Sequence, residues 1–136
     1  MRRRRPARVE RLVASGFAEV AAGALSGWIY TLVKTDPERA RALGIRSGAR
    51  IRQWHLDMIM LGGLTALAGT AVPNLPRRVS VPLGIGAWTN AMSFLPLAFD
   101  PEIEHHPVYR GLVATSFVLT STGFTGLAAE AARRRG

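Results

Sequence analysis

The chain has 136 residues, of which 48% are hydrophobic and 20% charged, and its net charge is +9. That length predicts a single domain, residues 1–136, and the lack of cysteine excludes disulfides, thiolate metal ligands and a cysteine nucleophile. A basic chain suits nucleic-acid binding, but here the basic residues are concentrated beside hydrophobic segments, where they anchor membrane helices. We therefore predict no nucleic-acid partner.

Four hydrophobic segments with almost no charge follow one another along the chain. Asp57 is the single charged residue between Gln53 and Asn74, and no charge lies at 79–99 or 111–129. A soluble helix carries charges along its polar face, whereas these segments are apolar, small or hydroxylated all round. Each is near the ~20 residues that a hydrocarbon core requires. The sequence therefore predicts an all-α integral membrane protein, a four-transmembrane-helix antiparallel bundle, with spans at about 12–33, 55–72, 79–99 and 111–129.

Short polar or proline-containing stretches connect the four segments. The first hydrophobic run is too long for the core of a signal peptide, so we interpret it as a retained helix. In the linker after it, Asp36 as cap, Pro37 at the first helical position and Gly44 past the end predict a short interfacial helix at about 36–43. The run Pro73-Asn74-Leu75-Pro76 predicts a tight turn between the second and third spans.

The distribution of basic residues predicts the orientation of the chain. Eleven of the 18 Lys and Arg residues precede the first span, lie in the turn between spans two and three, or follow the fourth span. The other seven lie in the long linker and the last loop. Because basic loops stay on the cytoplasmic side, we expect a multi-pass protein of the cell membrane with both termini cytoplasmic.

Glu19 is an ionisable residue inside the first span, and such residues are costly in a membrane and therefore functional candidates. It shares a helical face with Gly23, Gly27 and Tyr30. The two glycines form a small-x-x-x-small pattern, which lets two helices approach closely. We predict that Glu19 is a buried, protonated residue that forms a hydrogen bond between helices, with proton transfer or ligand contact as the alternative.

His55 and Asp57 open the second span and form a histidine–acid pair at one membrane edge. A neutral imidazole binds metal or haem iron and also serves in general acid–base chemistry, although a histidine at an interface is often a solvated polar tip. The helical stripe below His55 consists of small or apolar residues: Ile59, Gly62, Ala66 and Gly69. Either a flat cofactor or a neighbouring helix fits against such a stripe.

Further polar candidates lie in the third span and the last loop. Asn90 carries an amide that demands hydrogen-bond partners when buried, and it shares a helical face with Ser93. Under the predicted orientation Tyr30, His55 and Asn90 all lie in the outer half of the membrane, where a concave site between helices would bind a ligand. His105-His106 in the last loop is a weak candidate for a divalent metal site.

Two motifs carry a resemblance to a known family. The run His55-Leu56-Asp57-Met58-Ile59-Met60-Leu61-Gly62 resembles the second helix of the styrene oxide isomerase and hydroxylaminobenzene mutase group, which opens with histidine, often followed two positions later by an acid. The run Gly84-Ile85-Gly86-Ala87-Trp88-Thr89-Asn90 resembles the third-helix motif of that group, an aromatic residue followed two positions later by asparagine. A long first linker and a tight second turn also match, and the resemblance covers roughly the central half of the chain.

The resemblance implies a cofactor and an activity. In styrene oxide isomerase the histidine of helix two is an axial ligand of haem b, held between the subunits of a trimer. By resemblance, His55 is the candidate ligand of haem b, and the chain is expected to form a trimer in the lipid bilayer and to bind a small lipophilic substrate. An isomerase or mutase of this type uses the iron as a Lewis acid on a substrate oxygen. Asp57, Asn90 and Tyr30 are then the candidate catalytic residues.

Three positions depart from the family pattern and keep a second hypothesis open. Leu61, Gly86 and Phe94 stand where the group has an asparagine, a carboxylate and a tyrosine. These departures favour a non-catalytic membrane protein, which is an oligomeric assembly, transport or hydrophobic-ligand-binding subunit. The spacings around His55 and Asn90 favour the enzyme, and the sequence leaves both open.

Overall fold

The structure, a computed structural model, describes residues 9–135, and every regular element in that range is helical. The predicted all-α class is confirmed. In chain order the elements are α1 (Arg11–Thr35), α2 (Pro37–Ala42), α3 (Gly48–Ala71), α4 (Arg77–Met92), α5 (Phe94–Phe99), a 3-10 turn (Pro101–His105) and α6 (Pro107–Arg133).

Two of these helices, α1 and α6, are long and apolar enough to cross a membrane. The helix α3 is nearly as long, but it begins at Gly48, earlier than the predicted span at 55–72. Its start is capped by Ser47, whose hydroxyl accepts a hydrogen bond from the backbone N–H of Arg50 at 3.4 Å. The first two turns of α3 therefore contain charged residues, which hydropathy alone assigns to the linker.

The third hydrophobic segment, predicted at 79–99, is divided into α4 and α5 at Ser93. Pro96 explains the break: proline has no N–H to donate, and its ring crowds the carbonyl four residues earlier, which belongs to Met92. The short helix α2 follows the pattern read from its sequence, because the Asp36 carboxylate accepts from the backbone N–H of Arg39 at 3.0 Å and Pro37 occupies its first turn.

The long helices associate as two pairs. Most contacts of α1 are with α3, and most contacts of α6 are with α4, while α3 and α4 join the two pairs. Within residues 9–135, α1 and α6 share no extensive interface. The helices therefore follow the packing order α1, α3, α4, α6 and leave the two outer helices largely exposed.

Glycine allows the first pair to touch backbone to backbone. A Cβ placed on Gly16 would lie 2.5 Å from the backbone N of Ala66, and one on Gly62 would lie 2.8 Å from the carbonyl oxygen of Gly16. Real Cβ atoms do not approach other atoms so closely, so no larger residue fits without moving a helix. The predicted close approach of α1 to another helix is confirmed, and the stripe below His55 is filled by α1 itself.

The pair formed by α4 and α6 also packs closely through glycine. A Cβ on Gly86 would lie 2.6 Å from the backbone N of Thr120, and one on Gly123 would lie 2.5 Å from the Cα of Leu83. Position 86 corresponds to a carboxylate residue in the family that the chain resembles. Here Thr120 fills that space, so Gly86 is a packing residue.

The polarity of the outer helices is inverted relative to a soluble protein. After Leu12 and Val13 in its first turn, α1 buries only small or polar residues, Gly16, Glu19, Gly23 and Ser26, whereas Trp28 is 77% exposed. In a soluble helix the large apolar residues face the core and the polar ones face water. The same inversion occurs in α6, which buries small or polar residues and exposes large ones, among them Leu112, Phe117 and Val118.

Ionic contacts tie the helix ends together at the side that contains both described termini. Glu130 of α6 is 2.7 Å from Arg133 and 3.6 Å from Arg78 at the start of α4. Arg134 donates a hydrogen bond to the carbonyl oxygen of Pro73 in the turn after α3 at 2.6 Å. These contacts bring the ends of α3, α4 and α6 to one level.

The neighbouring glycines Gly62 and Gly63 test the helix contact with one matched pair. Replacing Gly62 by Ala should lower the free energy of unfolding by about 1–3 kcal/mol, because the methyl group meets the backbone of α1. Replacing Gly63 by Ala should raise it by up to about 1 kcal/mol, because its Cβ position is open and Ala favours a helix. Thermal and denaturant unfolding followed by circular dichroism measure both, and equal effects would contradict this packing.

Candidate functional site

His55 lies on the face of α3 that packs against α1. Its ring nitrogen Nδ1 is 2.8 Å from the carbonyl oxygen of Gly23 and 3.1 Å from the hydroxyl of Ser26. The Ser26 hydroxyl itself donates to the Gly23 carbonyl at 2.6 Å. The three groups form a small network at the interface of the two helices.

This network determines the tautomer of the imidazole. A carbonyl oxygen only accepts hydrogen bonds, so Nδ1 carries the proton and donates it to Gly23. In the neutral imidazole the other nitrogen, Nε2, then holds the lone pair, and no side chain or backbone group in the described range hydrogen-bonds to it. A histidine whose Nδ1–H is held by a carbonyl and whose Nε2 is free has the arrangement of a metal-ligating histidine.

Two residues of α1 hold the imidazole ring in place. Tyr30 stacks on it, with ring centroids 6.0 Å apart and an angle of 19° between the planes. Gly27 also lies close to the ring, because a Cβ there would be 3.1 Å from the ring carbon Cε1 of His55. The histidine is half-buried, and these contacts orient Nε2 before any ligand arrives.

Asp57 and Asn90 do not join this network. Residues two apart on a helix point in nearly opposite directions, so His55 and Asp57 face different sides of α3 and do not interact as a pair. Across residues 9–135, neither the Asp57 carboxylate nor the Asn90 amide makes a side-chain hydrogen bond, and both residues are half-buried. Of the predicted catalytic residues, only Tyr30 contacts His55.

Hydrogen bonds of Ser93 and Tyr109 stabilise the break after α4. The hydroxyl of Ser93 donates to the carbonyl of Asn90 at 2.6 Å, and the carbonyl of Ser93 accepts from the Tyr109 hydroxyl at 2.6 Å. A mostly apolar cavity of about 310 Å³ lies beside them between α4 and α6, and its lining includes Tyr109 and Ser116. The sequence did not single out Tyr109 as a contact of this break.

Glu19 is fully buried between α1 and its neighbours. Its Cβ lies against Gly62 of α3, so the predicted burial in a helix interface is confirmed, but the predicted hydrogen bond between helices is wrong for the described part of the chain. Within the described part of the chain, neither of its carboxyl oxygens has a hydrogen-bond partner, and the hydroxyl of the buried Thr65 has none either. Burial without partners is costly for a polar group, so Glu19 carries a cost in stability that its packing must offset.

His105 and His106 are exposed and do not converge on a metal site. The His106 imidazole accepts a hydrogen bond from the backbone N–H of Val108 at 3.3 Å and so caps the start of α6. His105 contacts Glu104 at 3.6 Å. No group of three or more His, Cys, Asp or Glu residues suited to a metal ion occurs in the part of the chain that the structure describes.

Glu19 and Glu130 are both buried acids at separate sites. The carboxyl group of Glu19 has no hydrogen-bond partner in the described part of the chain, whereas that of Glu130 forms an ion pair with arginine. Replacing Glu19 by Met, of similar shape, should raise the free energy of unfolding by about 1–3 kcal/mol, because it removes an unsatisfied polar group. Replacing Glu130 by Met should lower it by about 1 kcal/mol, because it removes the ion pairs. Denaturant unfolding of the purified variants measures both, and destabilisation by Glu19→Met would reveal a partner for its carboxyl group.

Comparison of the chain with models of protein families, with curated proteins and with solved structures finds no match. The chemistry of the site therefore rests on its own geometry. That geometry consists of one ordered histidine, a proton held on Nδ1 by Gly23, and a free Nε2 beside Tyr30.

Proposed function

We propose that the chain is an integral membrane protein that crosses the bilayer four times and binds haem iron through His55. The inverted polarity of α1 and α6 supports the membrane assignment. Large side chains such as Phe17, Leu25 and Trp28 are exposed, and a continuous apolar exterior of this kind suits lipid. In water the same surface would promote aggregation.

The two inner segments are long enough to cross as well. The helix α3 has 24 residues and extends about 36 Å at 1.5 Å per residue. The helices α4 and α5 together run from Arg77 to Phe99, and the break at Ser93 is stabilised by the hydroxyl of Tyr109. A broken helix is tolerated at membrane depth where neighbouring protein satisfies its backbone groups.

The orientation of His55 is the single observation that carries the proposed haem site. An axial ligand must present a neutral nitrogen with a free lone pair, and the hydrogen bond from Nδ1 to Gly23 leaves Nε2 in that form. A carbonyl that accepts a hydrogen bond from Nδ1 also raises the basicity of an imidazole that ligates through Nε2. His55 would therefore hold haem iron through Nε2, which is the role that the resemblance to styrene oxide isomerase implies.

The proposed activity is the rearrangement of a small lipophilic molecule, as in the isomerase and mutase group. Bound haem iron would supply a Lewis acid that polarises a substrate oxygen. The chain itself would hold the ligating ring against Tyr30 and Gly27, and would exclude water by its position between apolar helices. The largely exposed outer face of α1 is available to a second copy, in keeping with the trimer that the resemblance implies.

Three observations favour the second candidate, a non-catalytic protein that binds a hydrophobic ligand. Asp57 and Asn90 do not approach His55 through any hydrogen bond, and the family's carboxylate position is the packing residue Gly86. The apolar cavity of about 310 Å³ between α4 and α6 has the size of a small ligand site. In that case haem or another hydrophobic molecule is bound without turnover.

Single-cysteine labelling tests the four spans, because the chain has no cysteine of its own. Cysteine is placed at three exposed positions, Glu38, Pro73 and Glu104, and intact cells are treated with a membrane-impermeant maleimide. If all four segments cross, Glu38→Cys and Glu104→Cys label from outside and Pro73→Cys labels only after lysis. Labelling of all three from outside would mean that only α1 and α6 cross.

Absorption spectra test the haem ligand. The wild-type protein, purified in detergent and supplied with haem, should show a Soret band that His55→Ala loses. The matched control is His105→Ala, which removes an exposed histidine of the last loop and should keep the band. Gly27→Ala should shift or weaken it, because the added methyl group meets the imidazole ring.

The same spectra separate the outcomes. A band that persists in His55→Ala would place haem elsewhere on the chain. No band in the wild-type protein, with its helical circular dichroism intact, would remove the haem proposal and leave the non-catalytic candidate.

A further inference from the structure

A second groove lies at the opposite end of α1 from the histidine network, beside the helix ends that carry most of the basic residues. It encloses about 770 Å³ between the start of α1, the turn after α3 and the first three turns of α4. The helices α1 and α4 make few contacts with each other, so the groove remains open along its length. Its position differs from that of His55, which is at the other end of α1.

The mouth of the groove is basic. Arg11 and Arg77 both line it, and neither forms an ion pair with any acidic residue among positions 9–135. Glu10 also lines the mouth, where its carboxylate accepts a hydrogen bond from the backbone N–H of Asn74 at 2.9 Å, so the mouth has two positive charges and one negative charge. Two free guanidinium groups therefore face the mouth, and each favours a phosphate or another anion.

Beyond the mouth the lining of the groove is mostly apolar. Its walls include Leu12, Val81 and Ile85. Gly84 has no side chain, and a Cβ at this position would lie 3.4 Å from Leu12. At the end, the indole N–H of Trp88 donates to the hydroxyl of Ser15 at 3.0 Å and joins the two helices. From Arg77 to Trp88 the helix rises about 16 Å, which is close to the length of one fatty acyl chain.

We propose that this groove binds one anionic phospholipid, with its phosphate at Arg11 and Arg77 and an acyl chain along α4 as far as Trp88. The proposal rests on the membrane assignment made above. An anionic head group at the basic end of membrane helices is the expected partner of such a site. A second copy of the chain fits less well, because its own basic helix ends would meet the same two arginines.

Fluorescence quenching in bilayer nanodiscs tests the site. Phosphatidylglycerol and phosphatidylcholine, each brominated on the acyl chains, are compared at equal mole fraction in a background of ordinary phosphatidylcholine. The protein carries Trp28→Phe, which removes the most exposed indole, and the signal of Trp88 is obtained as the difference from the same protein with Trp88→Phe. Brominated phosphatidylglycerol should quench Trp88 more strongly than brominated phosphatidylcholine.

Matched variants test whether the preference for phosphatidylglycerol depends on the arginines at the mouth of the groove. Arg11→Gln and Arg77→Gln should each reduce the preference for phosphatidylglycerol about fivefold. Arg52→Gln and Arg110→Gln, exposed arginines at the opposite helix ends, should leave it unchanged. Circular dichroism confirms that each variant is folded.

Three outcomes would overturn the proposal. Equal quenching of Trp88 by both lipids means that the groove has no anionic-lipid site, while the membrane assignment stands. No quenching by either lipid, with the protein absent from the nanodiscs, contradicts the membrane assignment itself. A change in oligomeric mass in Arg11→Gln or Arg77→Gln without a change in lipid preference assigns the groove to a second copy of the chain.

Discussion

The contact of α1 and α3 through their backbones is the constraint on which the rest of the structure depends. Gly16 and Gly62 lie against each other with no room for a Cβ atom, and such close approach replaces the hydrophobic effect as the source of stability when the surroundings are lipid. It also decides what the interface buries. Because glycine occupies little space, longer groups such as Glu19 and the imidazole of His55 fit within the same contact.

The histidine network follows directly from that constraint. The carbonyl of Gly23 is reached by His55 because the two helices are close at this level, and Ser26 supports the same carbonyl from one turn further along α1. The backbone of the packed helix thus orients the imidazole ring, which in many metal sites is the role of a second layer of side chains. It also separates His55 from Asp57, because a helix that turns one of them toward α1 turns the other away.

Sequence patterns predicted the helices better than the contacts between them. The long charge-free runs predicted every long helix, and the glycines of α1 predicted a close neighbour. The early start of α3 was missed because its first turns contain Arg50 and Arg52, although Ser47 is a capping residue. The pairing of His55 with Gly23 was also missed, because it depends on the relative height of two helices, which no local pattern determines. At Gly86 the sequence identified only a departure from the family's carboxylate, and the structure adds that the residue packs against the backbone of Thr120.

The association of the helices in two pairs has a consequence for biogenesis. The helices α1 and α3 are joined by the linker that contains α2, and α4 and α6 are joined by α5 and the 3-10 turn. Each pair is therefore a helical hairpin whose contacts are mainly within the pair. Such local contacts form quickly and need no distant part of the chain. The first hairpin can therefore assemble while the second is still being synthesised, and the weaker contact of α3 with α4 then becomes the last interface to close.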